Sequence, residues 1–247
     1  MAPLKAQMLD PVADLRRRLR RRAGRQVTRS LRAVVAGWWR DHALAEHPAA
    51  VGKRIALALL EQKALELQLA GILVLEEYLA DHLRATDVPA FAELFARSCL
   101  ADNAVIDAFS VKVLGTLLHR VRGRSDVARA LAQWRSSDST GQRRAACVAF
   151  TALAPQGDAA LPGLAQLIFT LCSTVVWSRE RSDQTAVGWV LRELSRAEPT
   201  RVEAFVRRHA RFMSRECARH AIERIPAARQ QDLLAHWKRA TTLRVSR

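Results

Sequence analysis

The stretch GKRIALALLEQKALELQLAGILVLEEYLADHL (52–83) decides the fold class. Within it Leu65, Leu69, Ile72, Leu75, Leu79 and Leu83 recur at three- and four-residue steps, the period that aligns side chains on one face of an α-helix. Ile55 with Leu59 starts a similar stripe just upstream. No window of alternating β-branched residues argues for a strand. Helix breakers fall at intervals along the rest of the chain, at Pro48, Pro89, Gly123, Gly141, Pro155, Pro162, Pro199 and Pro226. Between them the pattern predicts helices near 28–45, 49–61, 64–82, 88–99, 102–120, 125–136, 140–153, 159–176, 182–197, 199–211, 214–224 and 227–239. Several starts carry expected caps: Asp102 before 103–120, Ser125 or Asp126 for the next helix, Thr140 for the one after, and Pro199 at a helix opening.

The helices pair with a repeat of roughly 35 to 40 residues, as in α-solenoids of the HEAT or armadillo kind. The predicted architecture is therefore all-α, a curved stack of HEAT-like repeats with a concave groove. It divides into a basic N-terminal arm (1–25), a single repeat domain (26–240) and a C-terminal tail (241–247). The arm holds LRRRLRRRAGR (15–25), with seven arginines in eleven residues. Such a segment either binds phosphate backbones without reading bases or is a solvated tail.

Composition narrows the function classes. At 247 residues the chain can bury a full core, and 49% hydrophobic residues exclude general disorder. No apolar run reaches the roughly 18 to 20 residues of a membrane span. The longest, LAGILVL (69–75), is framed by Gln68 and Glu76, and the arginine-rich beginning lacks the apolar core of a secretory signal. Cys99, Cys147, Cys172 and Cys217 form no CxxC pair, so buried thiols in a reducing compartment, the cytoplasm, are expected. The seven histidines show no metal-ligand spacing. With 40 Lys+Arg against 24 Asp+Glu the net charge is +16, which draws the protein toward polyanions, nucleic acid first. The alternative source of that charge is the Arg- and Ala-rich usage of a GC-rich genome.

Against this background the acidic pair in SCLADNAVIDAFSVKVLGTLLHR (98–120) stands out. Asp102 reads as a helix cap. Asp107 stands one turn after Asn103 on the same face. On residue type alone Asp107 reads as a surface ion-pair partner, Trp189 as a core aromatic and Arg144 as a solvated helix residue.

Set beside two further stretches, WRSSDSTGQRRAACVAF (134–150) and SRERSDQTAVGWVLRELSRAEPTRVEAFVRRH (178–209), this segment resembles the AlkD-type family of DNA alkylation-repair glycosylases. The likeness is closest in QTAVGWVLREL (184–194), while ALELQLAGILVLEEY (64–78) looks like an earlier repeat. The resemblance implies a C-shaped stack that grips duplex DNA carrying alkylated purines. It would hydrolyse the N-glycosidic bond of cationic N3- or N7-alkylated purines as a monomer, with no metal or cofactor, and without flipping the lesion into a pocket. Asp107 then falls on the catalytic aspartate, Trp189 on the aromatic residue that packs against the lesion's deoxyribose, and Arg144 on an arginine that holds the backbone. One position departs, because Asn103 stands where the family carries a tryptophan. Arg120, Arg122 and Arg124 in the basic turn HRVRGR (119–124), with Arg143 and Arg179, extend the DNA-binding track. Trp38 and Trp39 read as packing aromatics, although one of them could reach DNA.

Some relatives in GC-rich actinomycetes confer self-resistance to duocarmycin- or yatakemycin-type antibiotics, which alkylate adenine N3 in the minor groove. The smaller Asn103 leaves room for such a bulky adduct. Two other readings stay open: a module that binds damaged or branched DNA without cleaving it, favoured by Asn103, and a HEAT-like protein–protein scaffold, which leaves the arginine arm unexplained.

Overall fold

The computed structural model describes residues 3–23, 30–120 and 123–245. Among them the chain is helical throughout and contains no strand, an all-α, solenoid-like fold in which helices pack on near sequence neighbours. It resolves into two compact units, Met1–Thr116 and Leu117–Arg247.

The first unit holds α1 (Pro3–Ala23), α2 (Leu31–Asp41), α3 (Ala49–Leu60), α4 (Leu65–Leu73), α5 (Val88–Ala96) and α6 (Asn103–Phe109). Its centre is the packing of α3 on α4, through Ile55, Ala56, Leu59 and Leu60 on one side and Leu67, Ala70 and Ile72 on the other, all buried. The approach is close at Gly71, where a Cβ would stand 2.9 Å from the Ala56 carbonyl oxygen. Trp38 and Trp39 are both buried; Trp38 donates from its indole to the Pro11 carbonyl at 2.8 Å, and Trp39 stacks on Tyr78 at 4.6 Å.

The segment read as an arm is helix α1. Val12, Leu15 and Leu19, one turn apart in succession, are buried, and the helix packs on α2, α3 and α4. Arg18 reaches Asp14 at 2.7 Å and Asp41 at 2.6 Å, and Arg16 donates to the Gln62 side chain. Arg25, the last arginine of the quoted stretch, lies outside the described residues.

Two predicted helices contain wide turns. The 64–82 helix becomes α4, a π-turn at Val74–Tyr78 and a 3-10 turn at Ala80–His82; the 102–120 helix passes from α6 through a π-turn at Ser110–Leu114 into α7 (Gly115–Arg120). A π-turn adds a residue to one turn of the helix. Ile72, Leu75, Leu79 and Leu83 are buried as predicted, but Leu69 is half-buried and Leu65, the first residue of α4, is 49% exposed while Leu67 faces the core. The two π-turns contact each other and are tied by Lys112 to Glu76 at 2.7 Å.

The second unit continues with α8 (Arg124–Gln133), α9 (Thr140–Ala149), α10 (Leu164–Val175), α11 (Arg181–Leu194), α12 (Pro199–His209), α13 (Arg215–Ile222) and α14 (Ala227–Val245). Helix α11 is its spine and packs on both α9 and α13. Pro199 opens α12 as predicted. Two caps differ from expectation. Ser139, not Thr140, caps α9 by accepting from the Gln142 amide at 3.3 Å, and α8 starts on Gly123 in the left-handed region, φ 77°, with no side-chain cap from Ser125 or Asp126. Cys147, Cys172 and Cys217 are buried free thiols and Cys99 is partly exposed; burial first, then the hydrogen bond with Cys147, pushes the Cys172 thiol well above its ordinary range.

A buried glutamine recurs at the same place in both units. Gln68, fourth residue of α4, donates to the Leu60 carbonyl eight residues back and to the Cys99 carbonyl in the loop between α5 and α6, at 3.3 and 2.7 Å. Gln184, fourth residue of α11, donates to the Val176 carbonyl eight residues back and to the Phe212 carbonyl in the connection between α12 and α13, at 2.8 and 3.1 Å. Each is followed within about a turn by a glycine at a helix crossing, Gly71 and Gly188. A Cβ on Gly188 would stand 2.9 Å from the Cys217 carbonyl oxygen and 2.9 Å from His220 Cβ. We expect Gly188→Ala to force α11 and α13 apart and to destabilise the fold by about 1 to 3 kcal/mol, the usual cost of overpacking, read from urea denaturation. An unchanged midpoint would mean that the crossing is not tight.

Candidate functional site

Asp102 caps α6, accepting from the Ala104 and Val105 amides at 2.8 and 3.3 Å, which gives the first acidic residue of 98–120 its role. The cap fixes the start of the short helix, and Phe109 at its end packs edge-on to Phe91 at 5.3 Å and Phe95 at 6.1 Å. Ser110 closes the transition to the π-turn by donating to the Ile106 carbonyl at 2.6 Å. Between these anchors Asp107 is half-buried and Asn103 exposed, one turn apart on α6. Both ends of the helix are thus fixed by groups other than the candidate carboxylate.

In the second unit α11 gathers the other candidates. Arg144, on α9, is buried rather than solvated, with 8% exposure. Its Nη1 donates to the Ser182 carbonyl at 2.8 Å and to Thr185 Oγ1 at 2.9 Å, both in the first turns of α11. Trp189, four residues after Thr185 and half-buried, stands one turn further along the same face. The neighbours of Trp189 in sequence, Val187, Gly188, Val190 and Leu191, are all buried, so α11 turns its apolar face to the core and leaves the indole at the margin. The structure therefore brings Arg144 and Trp189 to one side of one helix.

Arg143 behaves differently from its neighbour. Its Nε and Nη2 donate to Asp183 Oδ2 at 2.9 and 2.7 Å, its Nη1 to the Ser137 and Asp138 carbonyls at 2.7 and 3.0 Å, and its Nη2 also to Thr140 Oγ1 at 3.1 Å. All five guanidinium N–H groups then meet protein acceptors. Asp183 is fully buried, and the pair locks the start of α9 to the start of α11. Arg143, expected on the DNA-binding track, is thereby the support that sets the register in which Arg144 meets α11.

The remaining basic candidates are scattered. Arg120 is exposed at the end of α7, Arg124 is exposed at the start of α8, and Arg122 lies outside the described residues. Arg179 is exposed in the segment before α11. Among the described residues no group of three or more His, Cys, Asp or Glu is placed to hold a metal ion, and no helix is long and apolar enough to cross a membrane. Asp183 and Gln184, both in the segment SDQTAVGW (182–189), were given no role in the sequence reading, because only the structure shows that these two polar residues at the opening of α11 are buried.

The fold defines an all-α, solenoid-like protein of packed helices. The chain belongs to the DNA alkylation repair enzyme family, whose model matches residues 26–225 and so takes in Asp107, Arg144 and Trp189 while leaving out both α1 and α14. No curated relative matches the chain.

Removing one partner of a buried ion pair leaves an uncompensated charge, which typically costs about 3 to 5 kcal/mol. Arg143→Met should therefore lower stability by that order in chemical denaturation, and Arg179→Gln should leave it nearly unchanged. Equal behaviour of the two variants would remove the supporting role of Arg143.

Proposed function

We propose that the protein is a monofunctional DNA glycosylase that acts as a monomer on duplex DNA, hydrolysing the N-glycosidic bond of cationic N3- and N7-alkylated purines. The observation that carries the reading is the shared face of Arg144 and Trp189 on α11, in a member of a DNA alkylation repair family that also has a half-buried carboxylate on a capped helix.

The chemistry follows from the charges. An alkylated purine with a fixed positive charge leaves with the bonding electron pair and becomes neutral. What remains is an oxocarbenium-like sugar, the same cation that glycoside hydrolases meet with a carboxylate. Asp107 supplies that negative charge and takes a proton from the attacking water as the water oxygen bonds to C1′. Trp189 offers a π face to the polarised C–H groups of the sugar. Arg144, planar and always charged, suits a backbone phosphate. No step calls for a redox group.

Within this reading the substrates include bulky minor-groove adenine adducts of the duocarmycin or yatakemycin type, the chemistry of antibiotic self-resistance. Asn103 supports it, because an exposed small amide stands where the resembling family places an indole. The same residue also supports the second reading, a protein that binds damaged DNA without cutting the bond.

One experiment separates them. Duplex DNA carrying N3- or N7-alkylated purines is incubated with wild-type protein and with Asp107→Asn, and abasic sites are counted after alkaline cleavage. We expect the wild type to generate them and the variant to be slower by about 10²- to 10³-fold, the loss seen when a single charge-stabilising group is removed, with affinity largely retained. Equal rates would exclude Asp107 from the mechanism. No abasic sites from either protein would favour the binding module.

A further inference from the structure

Helix α10 ends at Val175 and α11 begins at Arg181; the segment between them presents Trp177, 57% exposed. Exposing so large an apolar ring is costly, and in the described part of the second unit no other large hydrophobic residue is exposed. Trp177 is nonetheless well ordered by its surroundings. Its ring lies on Phe212 from the 3-10 turn after α12, with centroids 3.6 Å apart and planes at 33°, and the Arg211 guanidinium lies over the Phe212 ring at 4.5 Å. The backbone below is fixed by Gln184, 3% exposed. Its amide donates to the Val176 and Ser178 carbonyls on either side of Trp177 and to the Phe212 carbonyl, and its oxygen accepts from the Ser214 amide at 2.9 Å. One buried side chain thus holds both loops that carry the aromatic pair.

The charge around this pair is positive. Arg179, Arg181, Arg211 and Arg215 stand in the two loops or at the helix starts after them, against Glu180 and Glu216, and Glu216 is engaged bidentately by Arg181 at 2.9 Å. Arg179 and Arg215 are exposed, and among the described residues neither has an ion-pair partner. A protein partner would ask for a wider apolar patch around a hot-spot tryptophan. A nucleobase asks only for a π face with cations close enough to meet its phosphates.

We propose that Trp177, backed by Phe212 and Arg211, is a stacking platform for an unpaired base of single-stranded DNA, with Arg179 and Arg215 meeting the adjoining phosphates. The site lies at the loop edge that leads into α11, the helix that carries Trp189 and receives Arg144. It would hold a strand displaced from, or unpaired beside, the duplex under repair. The inference rests on the engagement of DNA and not on bond cleavage.

The test is fluorescence anisotropy of full-length protein with a labelled oligothymidylate strand and with a fully paired duplex of equal length at the same salt. Trp177→Ala should weaken single-strand binding about tenfold, in the range typical of one lost base–aromatic stack, and leave duplex binding unchanged; Trp177→Phe should retain most of it. Irradiating a strand that carries 5-iodouracil should cross-link the base to the peptide containing Trp177. The platform is refuted if wild-type protein ignores the single strand, if Trp177→Ala weakens both DNAs alike, or if the cross-link maps elsewhere. Thermal melting of each variant guards against misfolding, and the cross-link on wild-type protein needs no variant at all. Asp107→Asn should bind the single strand as wild type does, so failure of cleavage and failure of the platform are told apart.

Discussion

The second unit depends on the way the opening of α11 is fixed. At that point a buried aspartate and a buried glutamine sit side by side, Asp183 reaching toward α9 and Gln184 toward the loop before its own helix and the loop between α12 and α13. Neither residue faces a substrate. Each converts the free N-terminal end of a helix into a junction of several chain segments, in an interior where an unpaired polar group would be costly. Gln184 meets that cost through the number of its bonds, whereas Asp183 meets it through the paired charge of Arg143 on Oδ2 while its Oδ1 stays buried without a hydrogen bond, and the result is a helix that cannot rotate about its axis without breaking these contacts. Gln68 does the same for α4 in the first unit with fewer bonds. The recurrence of one amide at one helical position is the most direct trace of an internal repeat in the chain.

A rigid α11 explains how adjacent residues take different tasks. Arg143 and Arg144 follow each other on α9, so their side chains leave the helix about 100° apart. One guanidinium turns to Asp183 and becomes part of the scaffold. The other turns to the Ser182 carbonyl and the Thr185 hydroxyl, beside the face that carries Trp189. In the first unit the π-turn after α6 performs a related service. By adding a residue between Phe109 and α7 it lets the apolar side chains before and after it both reach the core, while the half-buried face with Asp107 keeps its own direction.

Much of the helical framework was legible because its signals are local. Apolar spacing and the placing of prolines and glycines located the helices to within a few residues, and Asp102 and Pro199 marked true helix starts. The failures have a common cause. Ser139 and Thr140 are adjacent hydroxyl residues, and only the backbone decides which one caps α9. The π-turns leave no mark in composition, and Leu65 was counted in the stripe although it opens α4, where the end of the helix leaves it exposed. The basic segment 15–25 read as an arm because its two apolar anchors, Leu15 and Leu19, are outnumbered by seven arginines. The candidate site was legible only through family resemblance: nothing local separates Arg143 from Arg144, since the aspartate that decides between them lies 40 residues away. Nor does anything local separate Trp38, wholly enclosed, from Trp177, which stands in solvent.

The seating of α1 changes how its charge acts. A loose cationic tail attracts polyanions from all directions and sweeps through many orientations after contact. Here Val12, Leu15 and Leu19 fasten the helix to α2, α3 and α4, while Arg18 is neutralised by Asp14 and Asp41 and Arg20 and Arg21 remain exposed. The positive potential therefore points one way relative to the first unit. An approaching polyanion would feel a torque as well as a pull, and would arrive already aligned with that unit, at an entropic cost met when the protein folded.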